Sequence, residues 1–113
     1  MEAKSEVNAR NRNEWTPLHL AVRFAGYKVV SLVLEARGEV NSKNKTGLTP
    51  LLLASRFAIP AVVSLVLRAD ASVDHRNSNG ATSLWLAARY NTFEAVSMLL
   101  EAKANVNAKK FDR

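Results

Sequence analysis

The chain has 113 residues, no cysteine and 16 Lys and Arg against 10 Asp and Glu, a net charge of +6 with 48% hydrophobic residues. That composition is ordinary for a globular protein and predicts one domain whose core leaves stability marginal. It excludes a disulfide framework, a thiol nucleophile and a cysteine-ligated metal, while the charge favours anionic partners.

Residues 1–10 (MEAKSEVNAR) lack the apolar stretch of a secretory signal, so nothing marks the chain for export, and an intracellular setting, cytoplasmic or nuclear, is the expectation. Val7-Asn8-Ala9-Arg10 then opens a series that returns as Val40-Asn41-Ser42-Lys43, Val73-Asp74-His75-Arg76 and Val106-Asn107-Ala108-Lys109, at steps of 33 residues. Next along the chain, Thr16-Pro17-Leu18-His19-Leu20-Ala21 reads as a helix start. A threonine can cap an unpaired backbone N–H, and proline suits the first helical position. The block recurs at the same step as Thr49-Pro50-Leu51-Leu52-Leu53-Ala54 and Thr82-Ser83-Leu84-Trp85-Leu86-Ala87. A second apolar run follows each start, at residues 29–34, 62–67 and 95–100, with Pro60 at the expected start of one second helix and Thr92 as the cap of another. Asn and Gly residues between the units, such as Asn79-Gly80, favour tight hairpin-like turns. Residues 49–67 nearly reach the length of a membrane span, but Arg56, Pro50 and Pro60 divide them into two short buried helices.

Two motif series in one register, with T-P-L-H-x-A in the first, resemble the ankyrin-repeat family. The resemblance covers the whole chain as a single domain: a partial unit at 1–10, units at 11–43, 44–76 and 77–109, and the start of another at 110–113. It implies an all-α solenoid of stacked helix-turn-helix units with short β-hairpin fingers, in which stacking creates the core. Met1 shares the offset of Leu34, and Phe111-Asp112-Arg113 stops short of the next Trp15 equivalent. Both end faces are therefore expected to expose apolar surface, as in an excised or engineered array. The family usually places glycine after each helix. Ala25, Ala58 and Asn91, then Arg37, Asp70 and Lys103, stand there instead, and Glu14 stands where Gly47 and Gly80 recur. A left-handed residue at any of these positions costs roughly 1 kcal/mol more than glycine would.

Nothing in the sequence assembles a catalytic or metal site, and the expectation is no enzyme and no cofactor. His19 and His75 are far apart and have neither cysteine nor a glycine-rich phosphate loop beside them. His19 reads as a structural hydrogen-bonding residue and His75 as a finger-surface one. Asn44-Lys45-Thr46 fits a glycosylation pattern that, without a secretory signal, reads as an ordinary loop.

The constellation that carries a function is a ladder. Arg23-Phe24, Arg56-Phe57 and Arg89-Tyr90 recur at the end of each first helix, off the core-facing stripe. The resemblance places them on the concave surface, where such repeats bind. Arg10, Lys43, Arg76 and Lys109 form a second cationic series along the fingers, with Arg12 and Lys45 nearby. Trp15, at a finger, is the expected aromatic contact, and Trp85 is expected to pack between units. A cation beside an aromatic of the neighbouring unit, such as Arg56 near Phe24, can also simply stabilise the stack. The two roles are compatible, because a stacked arginine keeps its donors. The repeating Ser31, Ser64 and Ser97 carry no assigned role.

Three functions are consistent with these features. The first is a protein-interaction module that binds a partner protein or an acidic peptide through a basic, aromatic groove and the fingers. The second is an engineered or excised scaffold with no natural ligand, able to self-associate end to end. The third is binding of nucleic acid or another polyanion, which ranks below the first because no base-reading motif accompanies the charge.

Overall fold

The computed structural model describes residues 7–57, 59–90 and 93–103. Helix α1 spans Pro17–Leu20 and runs into a π-helical segment, Ala21–Ala25; α2 is Tyr27–Glu35, α3 Pro50–Arg56, α4 Pro60–Arg68, α5 Ser83–Arg89 and α6 Phe93–Glu101. Each first helix begins at a threonine whose hydroxyl accepts the backbone N–H of the residue three positions on, namely His19, Leu52 and Trp85. Pro17, Pro50 and Pro60 occupy first-turn positions whose N–H would be unpaired anyway. Residues 49–67 form two helices rather than one span, and no described helix is long and apolar enough to cross a membrane.

The helices form two rows. Each first helix packs on its own second helix and on the first helix of the next pair, and the second helices pack on one another likewise. Their shared interior is one cluster including Leu18, Val22, Val30, Leu51, Leu53, Val62, Val63, Val66, Ala87, Ala95 and Leu99. Every leucine sealed there contributes roughly 1.5–3 kcal/mol by leaving water. A helix pair alone could not bury both flanks, so the cluster runs continuously through the stack.

The fingers are turns built on asparagine. Asn11, Asn44 and Asn77 each accept, through Oδ1, the N–H groups of the residues two and four positions on. Neighbouring fingers are joined by Lys45 N–H donating to the Asn13 carbonyl and Ser78 N–H to the Thr46 carbonyl. Among the described residues no strand forms, so the expected β-hairpins are hydrogen-bonded turns instead. The carboxamide demand also explains the glycosylation-like motif: the Asn44 side chain is buried and its oxygen is committed to Thr46 and Leu48.

The missing glycines are resolved in two ways. Glu14, Arg37, Asp70 and Lys103 accept positive φ, at 65°, 73°, 70° and 67°. Ala25 avoids it: the helix widens to a π turn, the Gly26 N–H reaches the Ala21 carbonyl at 2.9 Å, and Gly26 takes the left-handed conformation at φ 93°. Asparagines clamp the two Arg37 and Asp70 turns from the preceding unit, Asn8 to Glu39 N–H and the Arg37 carbonyl, Asn41 to Ser72 N–H and the Asp70 carbonyl. Met1, Ala58, Asn91, Thr92, Asn107, Lys109 and Phe111-Asp112-Arg113 lie outside the described residues. On the first pair, Leu20, Phe24, Tyr27, Val29 and Leu32 are exposed.

Candidate functional site

The ladder forms, and it has a direction. The Arg23 guanidinium carbon lies 4.7 Å from the Phe24 ring centroid and 4.1 Å from that of Phe57; Arg56 lies 4.8 Å from Phe57 and 4.1 Å from Tyr90; Arg89 lies 5.2 Å from Tyr90. Each of the first two arginines is therefore held between its own aromatic neighbour and that of the following unit. Arg56 does not stack on Phe24, contrary to expectation, because each first helix ends with its arginine turned toward the next unit rather than the preceding one. Contacts of this kind contribute roughly 0.5–2 kcal/mol each, least where solvated. The rings are unequally covered: Phe24 is 71% exposed against 36% for Phe57 and 37% for Tyr90, since Phe24 has no described arginine beyond it.

Stacking occupies the faces of the guanidinium groups and leaves their edges. Among the described residues no hydrogen bond or ion pair engages Arg23, Arg56 or Arg89. Five N–H donors per arginine thus stand along the ladder.

Beside the central rung lies a cleft of about 480 Å³ lined by Leu48, Leu53, Arg56, Phe57, Ala81, Trp85, Leu86, Tyr90 and the finger residues Thr46, Asn77, Ser78 and Asn79. Its size falls within the roughly 300–1,000 Å³ of small-ligand pockets. Trp85 is half-buried here, packed beside Leu52, Ala81 and Leu86. Its packing against Leu52 of the preceding unit is the position between units that the sequence implies for Trp85. Trp15, the aromatic expected to meet a partner, is half-buried too and leans on the core, with its ring 5.7 Å from that of His19. The period also puts Trp85 on the first turn of α5, next to a finger and so at the cleft.

The finger cations belong to another place. Lys43, Lys45, Arg76 and His75 line a polar hollow with Arg10, Glu14 and Glu39. Arg10 is committed there: it donates to the Lys43 carbonyl at 2.7 Å and the Glu14 carbonyl at 3.3 Å, while Arg76 donates to the Gly80 carbonyl at 3.1 Å. Arg10 thus stitches two fingers together and Arg76 braces its own, whereas the Arg12 side chain is exposed on the first finger turn.

His19 has the structural role expected of it. It completes a capping box with Thr16, whose backbone N–H donates to Nδ1 at 3.1 Å, so Nε2 carries the proton and donates to the Leu48 carbonyl of the next finger at 2.7 Å. Burial holds its pKa below the ordinary 6.5, against the opposing bond to Leu48. His75 is lowered by burial as well and bonds the Gly47 carbonyl at 3.2 Å, so it too bridges fingers. Neither histidine has the geometry of a catalytic base, and no group of three or more His, Asp or Glu able to hold a metal occurs among the described residues.

A family model described as ankyrin repeats (3 copies) matches residues 28–110. The chain belongs to the ankyrin-repeat family. No curated protein matches it at a significant level. Ankyrin repeats are generally protein–protein interaction modules and the family is typically non-enzymatic, which agrees with a site made of stacked cations, aromatics and an open cleft.

Proposed function

We propose that this ankyrin-repeat chain is a non-enzymatic, intracellular interaction module that binds an acidic, extended segment of a partner protein along the ladder and fingers. One observation carries the reading: three guanidinium groups are oriented by aromatic stacking while their donors have no protein partner among the described residues. Packed helices stand roughly 8–10 Å apart, and an extended peptide advances about 3.3 Å per residue, so every third side chain meets a successive arginine as the ligand crosses units 11–43, 44–76 and 77–109. A carboxylate there gains roughly 1.5–3 kcal/mol at the half-buried Arg56 and less at the exposed Arg23 and Arg89.

The test is a peptide array with acidic residues at every third position or scrambled, probed with the parent and with Arg56→Ala. Preference for the regular spacing, lost with Arg56→Ala while the fold persists, supports the reading. Indifference to spacing, or a variant that loses stability but keeps binding, makes the ladder a structural stack alone. A polyanion reading is favoured by the net charge of +6 and the exposed rings. It predicts affinity that falls steeply with salt and does not depend on spacing. End-to-end self-association is favoured by the exposed Leu20, Phe24 and Leu32, and sedimentation measures it.

A further inference from the structure

Resting on the acidic-peptide reading, we propose that the cleft between α3 and α5 is an anchor pocket for one large apolar side chain of the partner, set directly beside an acidic residue that meets Arg56. The cleft's floor is apolar: Leu48, Leu53, Ala81, Leu86 and the indole of Trp85. One wall is the Phe57-Arg56-Tyr90 sandwich, and the other is formed by two neighbouring finger turns.

Most polar groups of the finger wall are already spent. The Asn77 Oδ1 accepts Asn79 and Ala81 N–H, the Asn77 N–H donates to the Ala81 carbonyl, Ser78 N–H donates to the Thr46 carbonyl, and the Thr46 hydroxyl donates to Asn44. What remains, among the described residues, is the Asn77 amide nitrogen, the Ser78 hydroxyl, the Asn79 carboxamide and the edge of Arg56. An apolar floor with one oriented cation at its side matches an amphipathic residue pair, an apolar group of leucine, methionine or phenylalanine size followed or preceded by a carboxylate. A nucleobase fits less well, because its polar edge would meet leucine and alanine. The charge of Arg56 selects the acidic neighbour, and the volume of about 480 Å³ accommodates the apolar one. The same position in the second unit is filled differently: Leu52 is wholly buried, whereas Trp85 stands half-exposed at the cleft.

The experiment uses two short labelled peptides with glutamate at every third position, differing only in leucine or serine beside the central glutamate, titrated by fluorescence anisotropy into the whole chain. The leucine peptide is expected to bind roughly tenfold more tightly. Asn79→Trp, which fills the cleft mouth from a side chain without a hydrogen bond, should erase that preference. Trp85→Leu, which installs the residue that unit two already tolerates, should reduce it. Arg56→Ala should weaken both peptides, because each keeps the glutamate that meets Arg56. Equal binding of the two peptides, with both still sensitive to Arg56→Ala, overturns the pocket and spares the acidic-peptide reading. Binding of neither overturns both. A single-stranded oligonucleotide that outcompetes the leucine peptide overturns the pocket in favour of a polyanion site. Unchanged circular dichroism and denaturation midpoints of the variants exclude misfolding as the cause.

Discussion

Replacing the left-handed Arg37, Asp70 and Lys103 with glycine should stabilise the protein. Their φ values of 73°, 70° and 67° push Cβ toward the carbonyl that follows, at roughly 1–2 kcal/mol for an L-residue. Glycine removes that strain but gives up roughly 0.5–1 kcal/mol to the greater freedom of the unfolded chain. The net gain is about 0.5–1 kcal/mol per site, smallest at Asp70 because aspartate tolerates this region better. Nothing else is sacrificed at Arg37 and Asp70: the bonds to Asn8 and Asn41 use the turn backbones, which glycine keeps. The three turns share no partner, so the effects should add to about 1.5–3 kcal/mol. Urea denaturation followed by circular dichroism should show a higher midpoint with an unchanged m-value, and the melting temperature should rise by about 2–4 °C per site. A triple variant with a midpoint equal to or below that of the parent would refute the strain account of these turns.

Gly47→Ala should act in the opposite direction, costing about 1–2 kcal/mol by urea denaturation, because Gly47 has φ 80° and a new Cβ would lie 3.1 Å from the Ser78 nitrogen and 3.2 Å from the Asn77 Cα. Asn41→Ala should lose about 1–2 kcal/mol in the same assay, since it unpairs the Ser72 N–H and one acceptor bond of the Asp70 carbonyl. The folded state lowers the pKa of His19 and His75 and so favours their neutral forms; stability should be complete above the ordinary value of 6.5 and fall as pH drops below it toward the folded values. Urea midpoints at about pH 7.5 and about pH 5 measure this difference, and His19→Leu should shrink it, because protonation at Nδ1 would turn two donors, that group and the Thr16 N–H, against each other.

The periodic features were legible because each depends on residues near in sequence. Thr16, Thr49 and Thr82 cap their own helices, and Pro17, Pro50 and Pro60 start them, so helix positions followed from local chemistry alone. The positive φ at Glu14, Arg37, Asp70 and Lys103 followed from register against the family pattern. What escaped depends on the neighbouring unit. Arg10 and Arg76 have the look of free surface cations in sequence, yet their reach lets them donate to finger carbonyls. The ladder's direction is set by how one helix end leans over the next, which no single unit encodes. The cleft beside Trp85 escaped for a similar reason: its lining joins α3 and one finger to α5 and the next finger. At Ala25 the family register marks a place where a left-handed residue would be strained, and the glycine one position later offers the turn a cheaper exit through a π turn.

The central claim is that stacked arginines with unengaged donors form the binding surface, and an NMR titration that follows the Nε–H signals of arginine tests it most directly. Addition of an acidic peptide with regular spacing should shift the Arg23, Arg56 and Arg89 side-chain signals together with the Trp85 indole, while the stitched Arg10 and the Trp15 indole stay still. Shifts confined to the finger hollow or to the second-helix row, with the three ladder signals unmoved at saturation, would contradict the account.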